Sequence, residues 1–202
     1  KRQRYDNPPY GFMLPDLYAA LFPAGHPYHH PTIGSMADLD AATLEDVHAF
    51  FRRWYGPNNT VLTLCGDLTA EQGFTAAERA FGQLPPSATP DARVPEALDP
   101  LPRPVRSERI GEVPHDRLTL GFRLPVDQSP QFLPTVLALD ALGGIASSRL
   151  VRELVRGAQV ALSVNATAWG LIDGASIGFL TVDVAPEADH AAVEEAVTAA
   201  LV

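Results

Sequence analysis

Residues 159–185 read QVALSVNATAWGLIDGASIGFLTVDVA, and this stretch decides the fold class. Two runs rich in β-branched and apolar residues flank a short Gly/Asp segment, a pattern typical of two strands joined by a turn. Upstream, residues 117–123 (RLTLGFR) alternate in polarity and predict another strand. Because the first of these strands is separated from the pair by helical segments, this part of the chain has the order β-α-α-β-β-α. That order favours an α+β fold with antiparallel strands over a doubly wound parallel sheet.

Three helices are predicted around these strands. The first begins at Ser129-Pro130 and ends near Leu142, before Gly143-Gly144. The second is SSRLVRELVRG at residues 147–157, with a serine as its N-terminal cap. The third covers residues 186–202, with Pro186 and acidic residues at its N-terminal end.

The first hundred residues carry different signals. Residues 1–36 contain many turn-forming residues and predict only short pieces of structure. Thr43 can cap a helix that runs to Trp54, and the segment Thr69 to Gln72 is a capping box for a second helix that stops at Gly82. Between them, the apolar run from Val61 to Cys65 predicts a strand.

A proline-rich stretch separates these two parts. Seven of the nineteen prolines fall between Leu84 and Val105. Proline fixes φ and removes a backbone donor, so this stretch predicts an extended connector. We therefore expect one domain portion in residues 1–84, a linker in 85–104 and a second domain portion in 105–202.

Composition excludes some classes of function. The chain has 202 residues, 46% of them hydrophobic, and a net charge of −9. Because nucleic-acid binding requires a positive field, and basic residues cluster only at Lys1, Arg2 and Arg4, we expect no nucleic-acid partner. No apolar run is long enough to cross a membrane. The one cysteine, Cys65, is predicted to be a strand residue, and the cellular compartment stays open.

The histidines suggest a metal site at first sight. His26, His29 and His30 lie within GHPYHHPTIG, with the spacing H-x-x-H-H. Two zinc ligands at such spacing need a helix to place them on one face, and Pro27 and Pro31 disfavour a helix here. We therefore expect a turn whose imidazoles form local hydrogen bonds. His48, His115 and His190 are each expected to be structural or surface residues.

Other catalytic patterns are missing from the sequence. There is no G-x-S-x-G motif, and the pair Ser147-Ser148 is explained by helix capping. Gly143-Gly144 lacks the further glycines and lysine of a phosphate loop. The acidic pairs Glu45-Asp46 and Glu194-Glu195 fit helix first turns or solvated faces. Residue chemistry alone thus assigns no catalytic, substrate-binding or metal-binding residue.

Four stretches in order resemble a known family. They are RQRYDNPPYG, then FPAGHPYHHPTIGSMADLDAATLEDVHAFFRRWYGPNNTVLTLCGD, then FGQLP, and finally LDALGGIASSRLVRELV. Together they resemble the pitrilysin/insulinase zinc metallopeptidases, which include the mitochondrial processing peptidases. The resemblance implies the metallohydrolase fold of those proteins, with antiparallel sheets packed against helices.

The resemblance also implies a function for a longer parent protein. Such a parent is a zinc-dependent endopeptidase that hydrolyses peptides or unfolded proteins between two homologous halves. Family members bind zinc through H-x-x-E-H and a distant glutamate, and the glutamate of the motif is the general base. The motif is absent from this chain, and the third ligand is expected just before Lys1. The chain is therefore expected to be an internal piece, inactive and without zinc of its own. The alternative is a non-catalytic structural or accessory subunit with the same fold.

A second motif bears on which half the chain represents. In the family's zinc-free half, the matching stretch resembles L-R-E-x-x-G-L-A-Y-S-V, whose Arg and Tyr hold substrate. Here Leu154 and Ala161 match, whereas Val155 and Leu162 stand at the Arg and Tyr positions. The resemblance therefore implies that this chain belongs to the metal-bearing half. It also implies that residues 1–104 lack the strands that complete their sheet, so we expect exposed apolar surface and self-association there.

Overall fold

The computed structural model describes residues 2–5, 7–88 and 98–201. The described residues up to Ser35 and those from Leu98 onward form one compact unit, here called the sheet unit. Residues 36–88 form a second, the helical unit. This division differs from the predicted boundaries of 1–84, 85–104 and 105–202, because the N-terminal residues pack with the second part of the chain. Much of the predicted linker, residues 89–97, lies outside the described residues.

Seven α-helices and three strands are described. The helices are α1 (Arg2–Tyr5), α2 (Met13–Leu21), α3 (Met36–Ala41), α4 (Leu44–Trp54), α5 (Ala70–Phe81), α6 (Phe132–Leu139) and α7 (His190–Ala200). Two π-helical segments, Asp140–Gly144 and Val151–Gly157, follow α6. The strands are β1 (Arg117–Leu124), β2 (Ala161–Trp169) and β3 (Ser176–Val184).

The three strands form one antiparallel sheet in the order β1-β3-β2. Leu180 of β3 lies opposite Leu120 of β1 and Ala166 of β2. A bulge between Ala161 and Ser163 interrupts the ladder at the start of β2. The three predicted strands of the second part, and the α+β class, are confirmed.

Helices pack against one face of this sheet. Leu180 and Val182 of β3 are fully buried, as are Leu150 from the helical stretch before β2 and Val197 from α7. The even-numbered residues of β1 pack against the same cluster, because alternate residues of a strand share a face. This cluster is the main core of the protein.

Helix α2 covers part of the other face. Its Leu17 and Leu21 pack with Phe22 against Ile177 and Phe179 of β3. The expectation of turns and short pieces in residues 1–36 thus missed this nine-residue helix. Pro15 disfavours a helix when the sequence is considered alone. It lies in the first turn of α2, however, where backbone N–H groups have no partner within the helix, so the missing donor has no cost. The apolar residues at positions 14, 17, 18, 21 and 22 have the helical spacing that could have revealed it.

The helical unit contains the two helices that capping signals predict. Thr43 and Asp46 form a capping box at α4, and Thr69 and Gln72 form another at α5. The predicted strand from Val61 to Cys65 is wrong, since this run belongs to no sheet. A strand is stable only with a hydrogen-bonded neighbour, and the described part of the helical unit provides none.

Apolar side chains of the helical unit lie largely in solvent. Val61 is 92% exposed, Phe74 77% and Leu44 71%. The ring of Tyr55 contacts those of Phe50 and Phe51, but all three residues stay exposed. The expectation of exposed apolar surface is thus confirmed for residues 44–84, whereas α2 is buried in the sheet unit. No described helix has both the length and the apolar character needed to cross a membrane.

Details of two other helices differ from the sequence prediction. Helix α7 begins at His190, after the predicted start at Pro186, and its cap is Asp189, whose side chain accepts a hydrogen bond from the Ala191 N–H. Ser148 does not cap through its hydroxyl: the side chain is buried, and its Oγ has no hydrogen-bond partner among the described residues. After the second π-helical segment, Gln159 adopts a positive φ of 56°.

Replacing Gln159 by glycine should stabilise the sheet unit. A non-glycine residue in the left-handed region costs about 1–2 kcal/mol, and glycine returns part of this through its larger unfolded-state entropy. We expect Gln159→Gly to raise the free energy of unfolding by about 0.5–1 kcal/mol in urea denaturation. Gln159→Ala is the control and should give no gain. A destabilised Gln159→Gly protein would contradict the assigned backbone conformation.

The exposed face of the helical unit should drive self-association. Phe74→Glu places a charge on this face without disturbing a core, because the side chain is 77% exposed. We expect this variant to bind less of an apolar dye and to show a lower weight-average mass by light scattering at high concentration. Ile172→Glu, at a position 61% exposed in the sheet unit, is the control. A wild-type chain that is monodisperse and binds no dye would contradict this expectation.

Candidate functional site

His26 is part of a small aromatic core. The residue is 7% exposed, and its ring stacks on Phe22 with the centroids 4.9 Å apart. Its Nδ1 accepts a hydrogen bond from the Tyr28 N–H at 3.1 Å, which begins the 3-10 turn Pro27–His29. The ring therefore shapes the turn that follows α2.

His29 and His30 contact other backbone groups. His29 Nδ1 lies 2.8 Å from the Phe22 carbonyl oxygen, and the tautomer that carries its proton on Nδ1 donates to it. His30 is exposed, and its Nδ1 lies 3.3 Å from the Pro31 carbonyl oxygen. In the described ranges, no three His, Cys, Asp or Glu side chains are arranged to hold a metal ion. The residues present thus do not fit a zinc site, and the assignment of this segment as a structural turn stays a prediction.

A polar cluster lies at one end of the sheet, centred on Asp183 of β3. The Arg117 Nε donates to Asp183 Oδ1 at 2.6 Å, and the Ser163 hydroxyl donates to Oδ2 at 2.7 Å. Arg117 and Ser163 are the register partners of Asp183 on β1 and β2. The carboxylate therefore joins all three strands.

The cluster extends to the N-terminal residues. The Arg117 guanidinium lies 3.7 Å from the centre of the Tyr10 ring, and the Tyr10 hydroxyl donates to the His115 carbonyl oxygen at 2.6 Å. His115 Nε2 lies 3.4 Å from Asp183 Oδ1, and the two side chains are 22% and 15% exposed. The imidazole is thus half-buried beside the carboxylate. Tyr10 reaches the cluster with a positive φ of 60°.

The electrostatics of the cluster favour an ionised carboxylate. Burial by itself raises the pKa of Asp183, but hydrogen bonds from Arg117 and Ser163, with the positive charge of Arg117, outweigh burial and hold the pKa below its ordinary value. Ser163 donates its proton to a carboxylate already neutralised by arginine, and no histidine accepts that proton. The arrangement fits a structural tie between strands and not an activated nucleophile.

The other candidate residues have local structural roles. Gly143 lies in a π-helical segment and packs against Leu180, where a side chain would crowd the core. Glu194 pairs with the exposed Arg106 at 2.8 Å, and Asp46 caps α4. At the positions of the family's Arg/Tyr pair, Val155 is half-buried and Leu162 is 50% exposed at the β-bulge. Of the remaining histidines, His48 is exposed on α4 and His190 begins α7.

The Asp183 cluster was missed from the sequence. A signal for it exists, because Asp183 is the one charged residue in the apolar run of residues 176–184. An isolated charge in a strand buried on both faces requires a partner. Choosing Arg117 as that partner, however, requires the strand register, which the sequence does not give.

Asp183→Asn should destabilise the sheet unit by about 1–3 kcal/mol, because it leaves the Arg117 charge partly buried without its partner. The folded-state pKa of Asp183 lies below the unfolded value of about 3.8. The stabilisation that the ionised carboxylate gives to the folded state is therefore complete above the unfolded pKa, and it is lost as pH falls through the folded pKa. Urea titrations at pH 7 and pH 3 should therefore show a smaller loss of stability with acid in the variant. Glu194→Gln, in an exposed pair, should change stability by less than about 0.5 kcal/mol. Equal losses of stability in the two variants would contradict the structural role of the Asp183 contacts.

Comparisons with known proteins place this architecture in a family. The chain is 28% identical over 161 residues to the zinc protease PqqE of Helicobacter pylori, an alignment that covers 77% of this chain and 35% of that protein. A crystal structure of a protease from H. pylori has a TM-score of 0.72 at 23% identity, covering 99% of this chain and 48% of that one. A peptidase M16 inactive domain from Pseudomonas fluorescens has a TM-score of 0.73 at 18% identity, covering 98% and 47%.

The chain thus spans about a third of the length of this curated relative and about half of each of these two solved chains. These structures confirm the expected metallohydrolase fold. The family described as the peptidase M16 inactive domain matches residues 41–201, well over half of the sequence. This match confirms the resemblance to the pitrilysin/insulinase peptidases. The chain belongs to the peptidase M16 family, and the domain that it matches is described as inactive.

Proposed function

We propose that this chain is a non-catalytic part of a longer zinc-dependent endopeptidase. The observation that carries the proposal is the match of residues 41–201 to the inactive domain of a peptidase family, together with a relative named as a zinc protease. The parent hydrolyses peptides or unfolded proteins in a chamber formed by two homologous halves. Within it, residues 1–84 belong to the end of the first domain and residues 105–202 to the second.

The residues of this chain support a scaffolding role in that parent. Each of the three histidines of the GHPYHHPTIG segment contacts a backbone group nearby in the sequence. The Asp183 carboxylate is neutralised by Arg117 and is not free to act as a base. We therefore derive no step of hydrolysis through zinc from these residues. The zinc ligands and general base of the parent lie outside them.

The position of the chain within the parent is also a proposal. Val155 and Leu162 stand where the zinc-free half carries an Arg and a Tyr, which supports placement in the metal-bearing half. The second half is then the protein partner of this one. The surface that the helical unit exposes, including Phe50 and Phe74, supports further protein packing against that unit.

The test compares this chain with its longer parent. We expect the 202-residue chain, dialysed against trace zinc, to contain no stoichiometric zinc by elemental analysis and to leave an unstructured quenched peptide intact. The parent should contain one zinc per metal-bearing half and cleave the peptide. Replacing the glutamate of its H-x-x-E-H motif by glutamine should abolish cleavage and keep the protein folded.

Two results would overturn the proposal. A parent without H-x-x-E-H and without hydrolysis would identify the chain as part of a structural or accessory subunit. One zinc per 202-residue chain, lost in the double variant His29→Ala, His30→Ala but kept in the control His48→Ala, would show that the histidine segment is itself a metal site.

A further inference from the structure

Residues 61–65 of the helical unit, which we call the open segment, connect the turn after α4 to the start of α5. Val61 is 92% exposed, Leu62 50% and Leu64 48%. Among the described residues, no backbone N–H or C=O of the open segment has a hydrogen-bond partner. Unpaired backbone groups in a run of β-prone residues are the groups that a neighbouring strand binds.

The open segment rests with one side on the helical unit. Leu64 lies against Gly73 of α5. Just before the segment, Thr60 has an extended backbone with φ −129° and ψ 137°. Because alternate side chains of an extended chain share a face, Leu62 and Leu64 face α5 together, and positions 61, 63 and 65 face solvent. Packing against α5 therefore covers one face of the segment and leaves its backbone edges without a partner.

The charges around the open segment decide which partner fits it. The chain carries a net charge of −9, but residues 54–66 contain no charged side chain, with Arg53 before them and Asp67 after them. The Asn59 side chain donates to the Trp54 carbonyl oxygen at 2.9 Å, which holds the basic end of α4 beside the start of the segment. An antiparallel pair of identical segments brings the basic start of one to the acidic end of the other, whereas a parallel pair places like charges together.

We propose that the open segment pairs, antiparallel, with the open segment of a second copy of this chain. Full overlap of the two segments places Thr63 opposite Thr63 and Val61 opposite the second copy's Cys65. The contact gives partners to exposed backbone groups without bringing like charges together, and it follows the two-fold symmetry that is commonest among oligomers. This inference concerns the helical unit alone and is independent of the peptidase proposal.

Disulfide formation tests the orientation and register of the pair. Opposed residues of antiparallel strands have Cα atoms about 4.5–5.5 Å apart, a separation that a disulfide can bridge. Cys65 is exposed, so Val61→Cys should form a covalent dimer on mild oxidation about tenfold faster than the wild-type chain. Within one extended segment the two thiols are about 13 Å apart and cannot react with each other. Ile172→Cys, at an exposed position of the sheet unit, is the control for random collisions and should give no such acceleration.

Proline substitution tests the backbone hydrogen bonds of the pair. The double variant Leu62→Pro, Thr63→Pro removes successive N–H groups, so each edge of the segment loses a donor. Because neither N–H has a partner among the described residues, the monomer itself loses no hydrogen bond. We expect a lower weight-average mass by light scattering than for the matched control Leu62→Ala, Thr63→Ala. Equal circular dichroism of the two variants checks that the helices are kept.

Hydrogen exchange of the wild-type chain provides a readout without any substitution. In dilute solution the amides of residues 61–65 should exchange almost without protection. At concentrations where light scattering shows association, alternate amides of the segment should exchange about tenfold more slowly, since only alternate N–H groups point to the partner strand.

Three results would overturn the inference. The first is exchange of residues 61–65 that does not depend on concentration. The second is cross-linking of the wild-type chain through Cys65 as fast as that of Val61→Cys, which indicates parallel pairing. The third is protection of the segment at high concentration without faster cross-linking of Val61→Cys, because another part of the second copy, such as an edge of its sheet, is then the occupant.

Discussion

The sheet unit depends on the burial of β3 on both of its faces. Leu180 and Val182 point into the core beneath α6 and α7, and Ile177 and Phe179 point into the core beneath α2. A central strand with two buried faces needs a nearly continuous apolar sequence, and SIGFLTVDV provides it. Because both cores share this strand, α2 on one face and α6 and α7 on the other are stabilised by the same nine residues.

Asp183 is a charged residue in this buried strand, and its carboxylate therefore needs hydrogen-bond partners. A carboxylate in β3 cannot be left without a partner, and the neighbouring strands supply one donor each from Arg117 and Ser163. Arg117 is in turn covered by Tyr10, so the N-terminal segment is attached at one end of the sheet by polar contacts and at the other by α2. The cluster is explained by the fold and requires no catalytic role.

Local signals in the sequence predict those elements that local interactions determine. The helices that begin at Thr43 and Thr69 were predictable because a capping box lies within four residues. Other features depend on distant residues. Helix α2 is stabilised by packing against Ile177 and Phe179. The Asp183 cluster depends on the strand register, because a shift of one residue would move its side chains to opposite faces of the sheet. Within the candidate site, the turn at His26 followed from its prolines, whereas its stacking on Phe22 did not.

The segment from Val61 to Cys65 shows that a composition favourable for strands does not by itself produce a strand. Its composition is as favourable for a strand as that of residues 161–169, yet only the latter forms one, because β3 lies beside it. The family match nevertheless runs from residue 41 to residue 201 without distinguishing the two units. Family membership is therefore encoded in both halves of the chain, whereas the packed core lies in the sheet unit. It follows that cooperative unfolding of this chain reports on the sheet unit, and that the helical unit contributes helices whose apolar faces gain little from folding alone.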